Sequence, residues 1–174
     1  IEKILPIVHE GLSDSACLDS VLELLVRSGR SLAHAMLMLL PEAWEHNTAL
    51  SPELRAFYQF HACLIEPWDG PACVSFTDGV QIGAVLDRNG LRPGRYVVTD
   101  DDLIMLASES GVLDVAPERV LERGRLMPGH MFLVDTREGR VIPDSEIKAS
   151  MAASAPYSAW LGQHLIPLAS LPAG

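Results

Sequence analysis

Three short polar clusters, each set among apolar residues, hold the side chains best suited to chemistry. The first is Gly11-Leu12-Ser13-Asp14-Ser15, where two hydroxyls and a carboxylate precede a helical pattern. A helix start leaves backbone N–H groups without intrahelical acceptors, so this cluster reads as an N-cap. The same carboxylate, Asp14, can instead hold an ammonium group through a charge-assisted hydrogen bond, with Ser13 and Ser15 in support. The second cluster is Asp87-Arg88-Asn89-Gly90-Leu91-Arg92-Pro93. Its Asn89-Gly90 pair suits a tight turn that tolerates positive φ. Asp87 with Arg88 and Arg92 is expected to form an ion-pair network that pins the loop; a structural turn and an anion site both remain open. The third is Ala107-Ser108-Glu109-Ser110-Gly111, where Ser108 and Glu109 are strand-end polar groups or partners of the arginine-bearing loop.

Other chemistries lack a pattern. The six histidines lie far apart with no HxxxH or HExxH pair, so no metal ligand set is expected. GxGxxG, P-loop and GxSxG motifs are absent. Cys17, Cys63 and Cys73 are odd in number and have no CxxC spacing, which fits reduced thiols packed in a core.

Clusters like these need a scaffold, and the composition provides one. With 174 residues, 48% hydrophobic and 21% charged, the chain has the makings of one ordinary domain with a buried core. Its net charge of −10 argues against nucleic acid and anionic membranes as partners, since both demand basic patches. The apolar run Ala35 to Leu40 is far shorter than the roughly 20 residues that span a bilayer. No charged-then-apolar leader opens the sequence, so secretion is not expected. The opening Ile1-Glu2-Lys3, without methionine, suggests a piece of something longer.

Residues 13 to about 66 read as helices. Ser13 or Asp14 caps the first, whose Leu18, Val21, Leu22 and Leu25 share a face up to Gly29. Ser31 caps a second, Ala33 to Leu40, and Ser51-Pro52-Glu53 opens a third with apolar Leu54, Phe57, Tyr58 and Leu64. From Pro67 the period shortens. Runs Ala72–Thr77 and Val80–Leu86 flank Asp78-Gly79, a hairpin signal. Further strands are expected at Arg95–Thr99, Leu103–Ala107, Arg119–Leu126, His130–Asp135 and Arg140–Ile142. Their short connections predict an antiparallel β-meander. Helices return at Glu146–Ala153 and Tyr157–Leu168, so the fold class is α+β.

In this order the clusters resemble the later part of the class II glutamine amidotransferase (glutaminase) domain of the glutamate synthase large-subunit family. The resemblance is carried by Ser13-Asp14-Ser15-Ala16, by Gly29-Arg30-Ser31-Leu32, by Glu66-Pro67-Trp68-Asp69-Gly70-Pro71-Ala72 and by Asp87 to Pro93. It continues through Ala107-Ser108-Glu109, Arg125-Leu126-Met127-Pro128-Gly129 and Pro156-Tyr157, and so covers almost the whole chain. Ala33 stands where the family usually has proline.

The resemblance implies a partial N-terminal-nucleophile hydrolase fold, two antiparallel sheets between helical layers, in residues 1–155, with 156–174 a helical connection toward a next domain. It implies hydrolysis of L-glutamine to glutamate and ammonia, the ammonia serving reductive amination of 2-oxoglutarate. Asp14 matches the family residue that binds the α-amino group of glutamine. No catalytic residue is matched: the family's nucleophile is an N-terminal cysteine, whereas Ile1 stands first and all three cysteines are internal. The segment alone is therefore expected to be inactive, and to associate or dissolve poorly because sheet edges are uncovered. FMN and an iron–sulfur cluster are implied for the intact enzyme, not for this segment. The implied partners are the remainder of the large subunit and a small subunit or ferredoxin as electron donor. The implied location is the cytoplasm, or the plastid in a photosynthetic eukaryote. A purine-pathway amidotransferase would share Asp87–Pro93 and Ser108–Ser110 but not Glu66–Asp69, and a non-catalytic regulatory or scaffolding module is the remaining alternative.

Overall fold

A computed structural model describes residues 5–171. Three serines start the first three helices, each by accepting a backbone N–H that the helix itself cannot satisfy. Ser13 accepts from the N–H of Ala16 at 3.3 Å and opens α1 (Asp14–Arg27). Ser31 and Ser51 do the same at 3.2 Å for α2 (Leu32–Leu39) and α3 (Pro52–Ala62). Proline fits at the first position of α3 because its missing N–H would be unbonded there anyway. The expected third apolar face runs two residues past the end of the helix. Cys63 ends α3, and Leu64 lies beyond it, 55% exposed. Cys63 itself is exposed rather than packed in the core, its Sγ donating to the carbonyl of Gln59, four residues back.

Seven strands follow: β1 (Cys73–Thr77), β2 (Gln81–Leu86), β3 (Arg95–Thr99), β4 (Ile104–Ala107), β5 (Val120–Arg125), β6 (Met131–Asp135) and β7 (Arg140–Ile142). All pairings are antiparallel. They do not form one meander, however. The sheet orders are β1-β2-β6-β7 and β4-β3-β5, so β3 to β5 leave the first sheet as an insert and the chain returns to pair β6 with β2. The expected β1–β2 hairpin is present. Asp78 closes it by accepting the N–H groups of Val80 and Gln81, bonds that hold its carboxyl below the usual range.

Alternation along the strands gives the larger sheet two apolar faces. Phe76, Val85, Met131 and Leu133 face the helices, where they join Met36, Leu37, Leu40, Phe57, Ile147 and Tyr157 in the main core. α4 (Asp144–Ala153) and α5 (Tyr157–His164) both pack against α3. Phe57 and Leu37 are fully buried, each worth about 1.5–3 kcal/mol of apolar burial. The opposite face carries Ala84, Leu86 and Phe132, which meet Tyr96, Ile104 and Leu106 of the smaller sheet. The Tyr96 ring lies 4.6 Å from that of Phe132, and its cross-strand partner is Gly124, where a Cβ would sit 2.6 Å from the ring. The order is thus helices, large sheet, small sheet: an α+β protein with two antiparallel sheets. Among the described residues no helix covers the outer face of the small sheet, although a second helical layer is expected from the resemblance.

Candidate functional site

The first cluster sits at the exposed mouth of α1. Its serines are engaged locally, Ser13 with the helix and, at 3.2 Å, with the hydroxyl of Ser15. Asp14 is the first residue of the helix proper, so its charge complements the positive end of the helix dipole. Among the described residues its carboxylate makes no hydrogen bond and no ion pair, and the residues from Leu12 to Ser15 are exposed. It is an accessible anion on a rigid support, suited to a cation.

The second cluster is organised differently from the expected ion-pair network. Asp87 is 2% exposed, yet no arginine reaches it. One carboxylate oxygen accepts from the N–H of Ala72 at 3.1 Å; the other accepts from Asn89 at 2.8 Å and Gly90 at 3.3 Å. Three backbone donors compensate the buried charge in place of a guanidinium. Arg88 turns outward to Asp69 at 2.8 Å, while Arg92 is exposed without a carboxylate partner among the described residues. Gly90 is required twice over. Its φ is +64°, and a Cβ would lie 2.4 Å from the ring of Pro128.

Ser108 and Glu109 follow β4 and are exposed, with no hydrogen bond to the 87–93 loop among the described residues. Glu109 instead borders a cavity of about 500 Å³ on the outer face of the small sheet, together with Arg123 and Asp114. Asp14 shares no hydrogen bond with either loop.

None of the cysteines has a nucleophile's setting. Cys17 lies within α1, and Cys63 donates to its own helix. Burial and the charge of Asp87 push the Cys73 thiol up, away from thiolate. No three His, Cys, Asp or Glu residues among those described are grouped to hold a metal.

Two buried or partly buried polar arrangements escaped the sequence reading. Lys148 of α4 is 5% exposed and lies 2.8 Å from both Glu42 and Asp144, with Nζ also donating to the carbonyl of Gly129 at 3.0 Å. Tyr58 donates to Glu42 at 3.1 Å, and burial with that carboxylate raises its pKa well above the usual phenol range. Asp144 also accepts from the N–H of Met131 at 2.8 Å. Only the Asp144–Lys148 spacing hinted at this, and four-residue pairs of that kind are ordinarily solvated. The second arrangement is His34 against His61 between α2 and α3, their Nε2 atoms 2.8 Å apart. His61 stands four residues after Phe57 on one helix face, the single local sign of its burial.

With this geometry in view, comparison with known proteins is informative. Residues 1–160 match the family described as "Glutamine amidotransferases class-II". The chain is similar to the Bacillus subtilis "Glutamate synthase [NADPH] large chain", 54% identical over 166 residues that make up 95% of the chain and 11% of that protein. It is also similar to the Schizosaccharomyces pombe "Glutamate synthase [NADH]", 49% identical over 97% of the chain and 8% of the relative. A Synechocystis "Ferredoxin-dependent glutamate synthase 2" is 48% identical over 92% of the chain and 10% of its own length. The chain spans about a tenth of the length of these curated relatives.

Proposed function

The chain belongs to the class II glutamine amidotransferases, and from that premise we propose that it is the later part of a glutaminase domain in a glutamate synthase, with Asp14 as its glutamine-binding residue. The observation that carries this reading is the accessible carboxylate at the first position of α1, without a partner among the described residues, in the Ser13-Asp14-Ser15 setting. A carboxylate with both oxygens available offers two strong acceptors to the α-ammonium group of L-glutamine. Fixing that end of the substrate on a rigid helix directs the side-chain amide toward the nucleophile and removes orientational freedom before the chemical step. Ser13 and Ser15 support Asp14 by keeping the cap closed.

The hydrolytic step itself lacks its parts here. Among the described residues no cysteine pairs with a base, so the nucleophile and the oxyanion donors come from outside them, and this stretch alone turns over no glutamine. The two-sheet arrangement with helices against one of them supports a partial N-terminal-nucleophile hydrolase fold over residues 1–155. After α5 the side chains of Ile166, Leu168 and Leu171 are exposed, which supports residues 156–174 as a connection toward a further domain.

In the whole enzyme the freed ammonia would aminate 2-oxoglutarate reductively, with a pyridine nucleotide or ferredoxin as electron source. The described residues do not fit that enzyme's cofactors. Cys17, Cys63 and Cys73 lie on α1, after α3 and on β1, too scattered for an iron–sulfur cluster, and no glycine-rich phosphate turn opens a helix to take FMN. No helix among the described residues is long and apolar enough to cross a membrane. The test is Asp14→Asn in the full-length protein, with glutamine-driven and ammonia-driven turnover measured side by side. Loss confined to the glutamine-driven reaction is expected; equal KM for glutamine in both proteins would refute the reading.

A further inference from the structure

Charged residues make up 21% of this chain, yet none falls between Ala149 and Gly174. The next longest uncharged run, Ser31 to Pro41, has a plain cause: it holds α2, of which every residue but His34 is buried. The later run is mostly exposed. In α5 only Tyr157 is buried, while Ser158, Ala159, Trp160, Gly162, Gln163 and His164 stand open. A helix whose second face met water would carry charged side chains there. The same stretch has a shape. Phe60 and Cys63 from the end of α3, with Trp160, Leu161, His164 and Leu165 from the end of α5, line an apolar groove of about 400 Å³. The Trp160 ring lies 5.2 Å from that of Phe60 and 5.6 Å from that of Tyr157, so its aromatic wall is fixed. Past Leu165, the side chains of Ile166, Leu168 and Leu171 are exposed in turn.

We propose that this groove is an intramolecular docking surface, covered in the full-length protein by an uncharged, apolar ridge of the unit that follows residue 174. The proposal rests on the reading of residues 156–174 as a connection toward a further domain, and not on Asp14. Three observations select that occupant. The uncharged stretch passes without a break from the groove wall into the connection, which starts at the groove's own rim with Leu165. Depletion of charge around an aromatic anchor is the composition of an interface core rather than of a free surface. The relatives are also about ten times as long as this chain, so polypeptide to cover the groove is at hand. A lipid surface would call for Lys or Arg beside the apolar side chains, and α5 with its connection has none. A small ligand would find only the Cys63 thiol and the His164 ring to orient it.

Cys63 is a built-in reporter, exposed here and bonded through its thiol to the carbonyl of Gln59. In the native full-length protein a maleimide should label Cys63 at least tenfold more slowly than in the same protein unfolded in urea, as read by peptide mass. Leu165→Glu sets a carboxylate on the groove at a position already exposed, and should speed native labelling at least fivefold. Leu121→Glu, a like change at an exposed site on β5, should alter it less than twofold. Benzoylphenylalanine in place of Leu165 should crosslink within one chain, to residues beyond 174. Equal labelling of native and unfolded protein would overturn the proposal. So would crosslinks between two chains or to upstream residues, or equal effects of the two Glu variants. The outcome is separable from that at Asp14. A protected Cys63 with unchanged KM for glutamine in Asp14→Asn would defeat the glutamine-binding role and leave the interface standing, and the reverse pair of results would defeat the interface alone.

Discussion

His34 donates its Nε2–H to Nε2 of His61. The direction follows from the other end of His61, where Nδ1 lies 2.7 Å from the carbonyl of Phe57 and must carry a proton to bond there. Neutral His61 then has one lone pair left, and His34 supplies the hydrogen. Phe57, Phe60 and Tyr157 surround the pair on the helical side, within 5.2 Å of the His61 ring centroid.

This pair makes stability fall on acidification. Burial first, then His61 and Arg30, lower the pKa of His34 to about 4, and burial with Arg30 lowers that of His61. The unfolded chain binds these protons near pH 6.5 and the folded chain resists them, so stability present above 6.5 drains away between about 6.5 and 4. The slope is at most about 1.4 kcal/mol per pH unit for each histidine, less for His34, which is only partly buried. Urea midpoints measured across this window should fall for wild type and flatten in His34→Gln; parallel curves would refute the assignment.

Lys148→Met should destabilise the region by about 3–5 kcal/mol, because Glu42 and Asp144 would keep their buried charges without the cation. Adding Glu42→Gln and Asp144→Asn should recover part of the loss. Amide exchange in α4 and the 126–131 turn is the measurement, and unchanged protection in Lys148→Met would show the network to be idle.

Asp87→Ala removes the acceptor of three backbone N–H groups that have little access to water. A cost of about 2–4 kcal/mol is expected, from penalties of roughly 1–3 kcal/mol per unmet group with partial rescue by water. Faster exchange at Ala72, Asn89 and Gly90 would localise it; protection equal to wild type would contradict the bonding described.

Gly129→Ala should be poorly tolerated. At φ +66° an L-residue is strained, and the new methyl would lie 2.6 Å from Cβ of Glu42 and 2.9 Å from its Cα. A loss of about 1–3 kcal/mol in thermal melting is expected from the backbone alone. Gly139→Ala, with φ +65° but open space around it, separates the conformational part from the collision.

Asp14→Asn should lower kcat/KM for glutamine about ten- to hundredfold, the value of one charge-assisted hydrogen bond. Ammonia-driven turnover should hold. A thermal melt unchanged from wild type would show that the cap, which belongs to Ser13, is intact.

Features governed by neighbours in the chain were legible in advance. The three serine caps, the Asp78 hairpin and β3 and β7 needed only local donors, acceptors and alternation. The strand order was not legible, because whether β3 pairs back onto β2 or departs into a second sheet depends on what Tyr96 and Phe132 find across the gap. Asp87 misled for a related reason: next to two arginines in sequence, it satisfies its charge on backbone groups, including the distant Ala72. Lys148 shows the limit most clearly. Its spacing from Asp144 is that of a surface pair, and only the arrival of Glu42 and the Gly129 carbonyl from other parts of the fold makes it interior. Asp14 was identifiable as an acid at a helix start, but nothing local to it distinguishes a cap neighbour from a ligand's anchor.

The contact of Tyr96 with Phe132 has a mechanical outcome. Among the described residues it is the aromatic coupling between the two sheets, and the ring is trapped over Gly124 on its other side. A displacement of the small sheet is therefore expected to swivel about this pivot rather than glide, swinging the Asp87 loop and the far strand ends through opposite arcs.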